Sequence, residues 1–464
     1  MNKLTGWDDT IVAIATPPGV GAIAVIRLSG KESFRIVNEL FPSKDIHVLP
    51  SHTIHIGLLK DNGMELDEVV LSIFKGPKSY TGEDVIEISC HGSPVVLRQV
   101  VDNCLRLEAR LAEPGEFSLR ALSNGQMDLT EAEAIRDLID ARSIASARQA
   151  VRQLSGEFSH ELKPIKDELL DVIVLLESAL EFVEDDLPEF QVRNVMEKLS
   201  SIKKTIETVA GTYKAGHLLR DGLRVAIVGR PNVGKSSLFN ALLGSDRAIV
   251  TDIAGTTRDQ LHEQLSIGDI PISLIDTAGL RETSDTVESI GVERSRRTMA
   301  DADIVIVVLD ASEAFTTEDK EILKGVSELD HLIAFNKIDK VGVEQLQKIQ
   351  ADINVSLPQE VAALPISATT GKGLERLKSA IVEPFRFDEA AAAGFLVSDA
   401  RHYDLLLRSA TELEESLRSL GDKASEEITL IGLHNALRYL GQITGETTTE
   451  DMLTRIFTTF CIGK

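Results

Sequence analysis

The chain has 464 residues, which at roughly 100 to 200 residues per domain predicts two to four domains. Lys and Arg number 49 against 73 Asp and Glu, so the formal charge is −24 and the surface on average repels polyanions. A nucleic-acid partner would therefore require a local basic site or a basic partner protein. The three cysteines, Cys90, Cys104 and Cys461, give no disulfide framework. Without an apolar leader or a bilayer-spanning stretch, we expect a cytoplasmic protein that does not enter a membrane.

Residues 1–122 have the pattern of a compact α+β domain. Strands are predicted in TIVAIATPPG, AIAVIRLSG, EVVLSIF and DVIEISCHG, and a helix in SPVVLRQVVDNCLRL. From MDLTEAEAIRDLIDARS onward, apolar residues recur every three or four positions, and Thr130 and Glu133 have the spacing of a capping box. Long helices are therefore predicted from this point to about residue 218.

At LRVAIVG the pattern changes to buried strands that alternate with helices, as in a parallel sheet covered on both faces. This α/β pattern covers residues 220–385. Helical periodicity then returns and continues to the cysteine at FTTFCIGK, after DEAAAAGF, which we interpret as a linker. The simplest arrangement inserts an α/β domain into a helical domain whose two halves are residues 123–219 and 386–464.

The segment GRPNVGKSS matches G-x-x-x-x-G-K-[ST] and lies between an apolar strand and an apolar helical stretch. In such a loop, glycines let backbone amides curve around a phosphate, Lys235 supplies charge to the β and γ phosphates, and the Ser236 hydroxyl binds Mg²⁺. The motif DTAG follows the next predicted apolar strand, which puts Asp276 near the magnesium and the Gly279 amide near the γ-phosphate. The sequence therefore predicts a site for Mg²⁺ and a nucleoside triphosphate.

The motif NKID predicts which base is bound. The Asp339 carboxylate can accept hydrogen bonds from the ring N–H and the exocyclic amine of guanine, a donor pair that adenine lacks. Asn336 and Lys337 shape the rest of the pocket, and the segment from Ser367 to Thr369 lies at a later strand end, where it can contact the same base. We therefore expect GTP rather than ATP.

These motifs resemble the translation-factor-related GTPases over residues 222–384, with one departure. Leu280 follows DTAG, where many relatives place a glutamine that orients the attacking water. Hydrolysis then needs another group for the water and a substitute for the arginine finger. Asn232 and the oxygens of TDIAGTTRD offer ligands for a monovalent cation, although Asn232 alone is equally typical of a loop residue kept for turn geometry.

Nine segments together identify the chain as resembling the MnmE (TrmE) family of tRNA-modifying GTPases: TPPG, TGEDVIEISCHG, PGEF, NGQMDLTEAEAIRDLI, GRPNVGKSS, DIAGTTRD, DTAGLRE, NKID and CIGK. The resemblance implies a multidomain fold with an α+β folate-binding-like N-terminal domain, an α-helical domain and an inserted α/β P-loop GTPase domain. It also implies a homodimer joined through the N-terminal domains, and a partner, the flavoprotein MnmG with FAD and NADH. Together they would modify C5 of the wobble uridine of tRNA with a one-carbon unit from 5-formyl- or methylene-tetrahydrofolate.

The resemblance also assigns ions and catalytic groups. The K⁺ ligands fall on Asn232, Thr251, Ile253 and Thr256, so that K⁺ would lie where an arginine finger usually acts, and the Mg²⁺ ligands fall on Ser236 and Thr257. The water-orienting acid falls on Glu288, where the alternative is an exposed acid at a helix start. With the motifs, the GTP-binding set becomes Asn232, Val233, Gly234, Lys235, Ser236, Ser237, Thr251, Asp252, Ile253, Ala254, Gly255, Thr256, Thr257, Asp276, Thr277, Ala278, Gly279, Asn336, Lys337, Asp339, Ser367, Ala368 and Thr369.

The folate contacts implied by the resemblance fall on Arg27, Glu87, Gln126 and Lys464. From pattern alone, Arg27 and Glu87 are more typical of a solvated sheet face, and Gln126 stands where family members often carry lysine, so the charge is lost there. For Cys461, the residues leave open a lipid anchor, an incidental thiol or a reactive group on a tail. Because the family tail takes part in the chemistry, we favour a catalytic tail that reaches the folate pocket of its own or a partner subunit.

Two other functions remain open from the sequence. A regulatory GTPase in ribosome assembly or membrane remodelling would use the phosphate loop and helical arms without folate chemistry. A helical dimerisation scaffold with a vestigial GTPase domain would not need intact GKS, DTAG and NKID motifs.

Overall fold

The computed structural model describes residues 8–182, 189–245, 262–268, 270–276, 302–356, 363–385, 394–422 and 426–463. The chain divides into two compact units, each made of separated segments. The first comprises Met1–Ile139, Ala150–Glu207 and Asp404–Lys464, and the second comprises Asp140–Gln149 and Thr208–Tyr403.

A six-stranded sheet with the order β3-β4-β5-β2-β1-β6 organises the N-terminal part of the first unit. Neighbouring strands are antiparallel except for the parallel pair β1 and β6. Side chains alternate across each strand, so Ala24, Ile26 and Leu28 are buried on one face while Arg27 faces the other. The strands are β1 (Ile11–Ile14), β2 (Gly21–Ser29), β3 (Thr53–Asp61), β4 (Met64–Phe74), β5 (Val85–Gly92) and β6 (Arg110–Leu111).

Two helices, α1 (Ser33–Leu40) and α2 (Pro94–Arg106), contribute to the core on the buried face of this sheet. The four predicted strands and the predicted helix from residue 93 are confirmed. The sequence did not predict β3 or α1, whose apolar residues are interrupted by polar ones.

Helices make up the rest of the first unit, and three of them have residues in both units: Ile144–Leu154, Glu189–Gly211 and Ala400–Gly421. The long α6 packs against α14, and the last helix, α15, packs against α3. Their bounds are α3 (Glu116–Ser123), α4 (Leu129–Ile139), α5 (Ile144–Leu154), α6 (Glu157–Phe182), α7 (Glu189–Gly211), α13 (Ala400–Gly421), α14 (Glu426–Thr444) and α15 (Glu450–Phe457).

The capping box predicted at Thr130 and Glu133 is wrong. Helix α4 begins at Leu129, and its cap is Asp128, whose carboxylate accepts from the Glu131 amide at 2.9 Å while Glu131 accepts from the Asp128 amide at 2.7 Å. Thr130 and Glu133 are buried instead. An aspartate caps a helix as well as a threonine does, so a motif two residues earlier was overlooked.

The second unit contains a sheet with the order β12-β11-β10-β7-β9-β8. All pairs are parallel except the edge pair β8 and β9, which departs from the predicted all-parallel sheet. Gly268, at φ +61°, lies in the tight connection that turns β8 back antiparallel to β9. The strands are β7 (Leu223–Val228), β8 (His262–Ile267), β9 (Ile270–Asp276), β10 (Ile304–Asp310), β11 (His331–Asn336) and β12 (Ala363–Pro365).

Helices cover both faces of this second sheet, and each face has its own apolar core. Buried runs such as IVIVVLD in β10 have no polar alternation, as a strand enclosed on both faces requires. The helices are α8 (Tyr213–Asp221), α9 (Lys235–Ser245), α10 (Thr317–Gly325), α11 (Val343–Ser356) and α12 (Leu374–Val382). In the part of the chain that the structure describes, no helix is long and apolar enough to span a bilayer.

Candidate functional site

The loop between β7 and α9 has the backbone of a phosphate-binding loop. Gly229, Asn232 and Gly234 have φ angles of +153°, +63° and +99°. A Cβ on Gly229 would lie 2.4 Å from the Val308 carbonyl oxygen, so only glycine fits against β10 there. The loop leads directly into the first turn of α9, and a helix N-terminus is a favourable place for an anion.

Lys235 begins helix α9 and folds back over this loop. Its ammonium group donates to the carbonyl oxygens of Gly229 at 2.8 Å and Arg230 at 2.7 Å. Ser236 and Ser237 follow in the same turn and are exposed. These bonds hold the cationic group of Lys235 against the backbone of the loop.

Asn336, at the end of β11, joins the loop to the segment that is predicted to contact the base. Its side chain is 2% exposed, donates to the Val233 carbonyl at 2.9 Å and accepts from the Ala368 amide at 3.0 Å. A Cβ on Gly234 would lie 2.2 Å from the Asn336 amide nitrogen, so this glycine permits the contact. Asn336 thus ties three of the predicted segments together.

Lys337 makes a second tie. Its ammonium group donates to the Asn232 carbonyl at 2.7 Å and pairs with Asp310 at 2.5 Å. Burial raises the pKa of the Asp310 carboxyl, but the bonds from Lys337 and Ser312 outweigh burial, and the pKa lies below its usual range. Asp310 is therefore an anion that fixes Lys337 beside the loop.

Asp339 lies in the 3₁₀ turn Ile338–Lys340 and is exposed. It accepts a hydrogen bond from the Ser367 hydroxyl at 2.6 Å, which lowers the pKa of the carboxyl. Ser367 is buried, whereas Thr369 is exposed beyond it. The ionised carboxylate therefore faces solvent with lone pairs available for a base.

Arg230 was not identified from the sequence, although it lies inside the phosphate loop. Its guanidinium Nε donates to Asp319 at 2.7 Å, and Nη2 lies 3.3 Å from Glu313. Asp319 is 1% exposed and also closes the capping box of α10 with Thr316. The spacing of Thr316 and Asp319 could have indicated the cap, but not its partner 89 residues away.

A second cluster lies on the face of the first sheet opposite the core that α1 and α2 cover. Arg27 of β2 and Glu87 of β5 are cross-strand partners, and the guanidinium bonds the carboxylate through Nε at 2.9 Å and Nη2 at 2.7 Å. Their side chains are 15% and 26% exposed. Gln126 is exposed and lies against the loop at Gly82, where an added Cβ would be 3.0 Å from its amide nitrogen.

The C-terminal tail of the same chain reaches this cluster. Arg27 Nη1 donates to the Gly463 carbonyl at 3.2 Å, and a Cβ on Gly463 would lie 2.7 Å from the Ile14 carbonyl oxygen. Phe460 is buried in an apolar cluster with Phe457, three residues before the contact. The Cys461 thiol, between these two attachments, is exposed, whereas Cys90 and Cys104 are buried.

Several predicted positions lie outside the described residues. They are Thr251, Asp252, Ile253, Ala254, Gly255, Thr256, Thr257, Thr277, Ala278, Gly279, Glu288 and Lys464. The backbone of Asp276 ends β9, in register with Ile227 of β7, but its side chain is not among those described.

Comparison with known proteins gives a consistent result. A family model described as the MnmE helical domain matches residues 129–461, and one described as the GTP-binding protein TrmE N-terminus matches residues 10–126. A tRNA modification GTPase MnmE of Aquifex aeolicus is 43% identical over 458 residues, covering 98% of this chain and 100% of that protein. Proteins of the same name from Ligilactobacillus salivarius and Enterococcus faecalis are 42% and 41% identical, covering 98% and 100% of this chain and the same shares of their own lengths.

Proposed function

The chain belongs to the MnmE (TrmE) family of tRNA modification GTPases, and from this premise we propose that it is a K⁺-stimulated GTPase that modifies tRNA. It acts in the cytoplasm as a homodimer with the flavoprotein MnmG, and the product carries an aminomethyl or carboxymethylaminomethyl group at C5 of the wobble uridine. The carbon is supplied by a tetrahydrofolate derivative. The proposal is carried by the presence of two sites in one chain. In one, hydrogen bonds connect the phosphate loop to the guanine motif NKID. In the other, the cysteine-containing tail contacts the Arg27–Glu87 cluster.

In this proposal, residues 123–219 and 386–464 form the helical domain around a GTPase domain of residues 220–385. GTP lies with its phosphates on the amides of the loop and its base on Asp339. Lys235 leaves the loop carbonyls to reach the phosphates, while Asn336 and Lys337 keep loop and base segment in register. Bound Mg²⁺ and K⁺ supply positive charge against the charge that develops on the transferred phosphate.

The donor set fits those ions in chemical type. Ser236 offers an exposed hydroxyl in the first turn of α9 for Mg²⁺, with Thr257 as its companion, and hard oxygen ligands suit this ion. Asn232 lies in the loop beside the phosphates and is the K⁺ ligand within the described residues; Thr251, Ile253 and Thr256 complete the set. Glu288 orients the water, since Leu280 has no polar group for that task.

The folate derivative is held by residues 1–122, whose fold we propose is of the folate-binding type. Arg27 and Glu87 contact it on their face of the sheet, with Gln126 and Lys464 at its margins. Cys461 is carried to the same pocket by the tail, and the contact of the Gly463 carbonyl with Arg27 supports docking within one chain.

The nucleoside composition of tRNA tests the proposed function. In a strain whose copy of this gene is deleted, the modified wobble uridine should disappear from tRNA hydrolysates, and the intact gene should restore it. Asp339→Asn and Arg27→Ala genes should each fail to restore it. A regulatory GTPase without folate chemistry predicts an unchanged nucleoside profile in all four strains, which would refute the proposal.

A further inference from the structure

The guanidinium of Arg27 is held at its edges and at its faces. Its edge nitrogens bond Glu87 and the Gly463 carbonyl. Two aromatic rings lie within cation–π distance: Tyr80, whose ring centroid is 5.0 Å from the guanidinium carbon, and Phe117, at 5.7 Å. Phe117 is fully buried, so it is a fixed wall of the core. Tyr80 is the partly exposed wall.

Tyr80 is itself fixed by neighbouring elements. Its hydroxyl forms a hydrogen bond of 2.7 Å with the hydroxyl of Ser118, which is buried in α3 next to Phe117. The next residue, Thr81, accepts a hydrogen bond of 2.7 Å through its backbone carbonyl from the side-chain amide of Asn124. Its hydroxyl group also forms a hydrogen bond with the hydroxyl of Ser29. The loop is thus attached to β2 and to the end of α3, and the ring has little freedom to leave Arg27.

We propose that Tyr80 is a positioning residue that holds Arg27 for its ligand, a role that rests in part on the proposed folate site. A long arginine side chain loses rotamer freedom when it binds, and a fixed ring lowers this cost by confining the guanidinium beforehand. The same confinement keeps Nη1 aimed at the tail carbonyl. Tyr80 therefore links ligand affinity to the attachment of the tail through one cation.

A ligand-free experiment isolates the link to the tail. Hydrogen–deuterium exchange of the full-length protein is followed in peptides C-terminal to Phe457. Tyr80→Leu should speed exchange in the tail about as much as Arg27→Ala does, and the double variant should be no faster than Arg27→Ala alone. Tyr439→Leu is the matched control, because it removes a ring 5.2 Å from Arg438 without touching Arg27, and it should leave the tail unchanged.

Affinity for 5-formyltetrahydrofolate gives the second readout. Tyr80→Phe keeps the ring and should bind within about threefold of the parent, whereas Tyr80→Leu should bind about tenfold more weakly or worse, as expected for the loss of about 1.4 kcal/mol. If Tyr80→Leu fails to fold, Tyr80→Met replaces it: it removes the aromatic ring but keeps a long apolar side chain, and it should weaken binding and speed tail exchange in the same direction.

The possible outcomes separate the two proposals. If the parent protein does not bind the folate but the exchange cycle behaves as described, the folate assignment fails and the positioning role stands. Unchanged tail exchange in Tyr80→Leu, or an added effect in the Arg27→Ala background, would overturn the positioning role even where folate binds normally.

Discussion

One exposed carboxylate, that of Asp339, is predicted to decide which base is bound. Hydrogen bonds to a charged group are worth about 1.5–3 kcal/mol, which corresponds to roughly 10- to 100-fold in affinity. Asp339→Asn should therefore weaken GDP binding by at least about tenfold. It should favour a xanthine nucleotide, because the amide can donate to the carbonyl that replaces the guanine amine. Titration with both nucleotides checks this, and Asp330→Asn, at an exposed aspartate of the same unit, should leave both affinities unchanged.

Ser367 extends the pH range over which the Asp339 carboxylate is ionised, because its hydrogen bond lowers the pKa of that group. Its hydroxyl lowers the pKa of Asp339, so the ionised form persists to lower pH, and GDP affinity falls only as pH drops through this lowered value. In Ser367→Ala the pKa returns towards its ordinary value, and the acid limb of GDP binding should move to higher pH. If GDP affinity falls at the same acidic pH in the parent protein and in Ser367→Ala, this coupling is contradicted.

Individual contacts were predictable where a motif fixes both partners in known roles. The phosphate loop and NKID each have one geometry, so a meeting of Asn336 with the loop is implied by the pair. No motif predicts the Arg230–Asp319 hydrogen bond. Each residue alone is typical of its own loop, and nothing in the sequence relates positions on different loops. Arg27 and Glu87 were typical of an open sheet face, and only strand register shows that they are directly opposite.

At the scale of elements, the phosphate loop is supported by the N-terminus of α10. Arg230→Gln should remove the charge-assisted bond to Asp319 and loosen the loop. We expect GDP release to accelerate about tenfold, as for the loss of about 1.5 kcal/mol. Stopped-flow displacement of a fluorescent GDP measures this rate.

The control for this experiment is Glu313→Gln. Glu313 also pairs with Arg230, but its side chain is 58% exposed, and surface pairs contribute about 0–1 kcal/mol. It should change GDP release by less than about fivefold. Equal effects of the two substitutions would mean that the buried cap has no special role.

Elements with strong apolar periodicity were predicted correctly, whereas features that depend on how an element begins or ends were not. The buried run of β10 and the helix from residue 94 follow from composition alone. The antiparallel β8 depends on the tight connection at Gly268, and the cap of α4 on a choice between two acceptors two residues apart. Local energies of such alternatives are close, so tertiary packing decides between them.

For the whole molecule, the ion dependence of turnover tests the proposed catalytic arrangement. GTP hydrolysis should be faster in KCl than in NaCl at equal ionic strength, because the site lacks a glutamine after DTAG and would use K⁺ to offset transition-state charge. Asn232→Ala should abolish the difference between the salts. Asn240→Ala, at an exposed position of α9, should preserve it. Equal rates of the parent protein in the two salts would exclude the K⁺ assignment.

The insertion of one domain into another was inferred from changes of period, and the structure groups separated segments into each compact unit. Which helices pack together was not predictable, because α6 and α14 are joined by more than 200 residues of intervening chain and have similar apolar stripes. The complete sets of ion ligands and the folate contacts came from resemblance, since exposed polar residues have no period that marks them.

Cys461 is exposed whereas Cys90 and Cys104 are buried, so the tail can be labelled selectively without mutation. Burial raises the pKa of the Cys90 and Cys104 thiols to about 12, so both stay protonated and shielded from a maleimide dye near neutral pH. Native protein should take up one dye per chain, at Cys461, and guanidinium-unfolded protein three, as counted by intact mass. Wild-type chains would then carry a single fluorescent reporter beside Arg27; rapid native labelling of two or more thiols would contradict the burial.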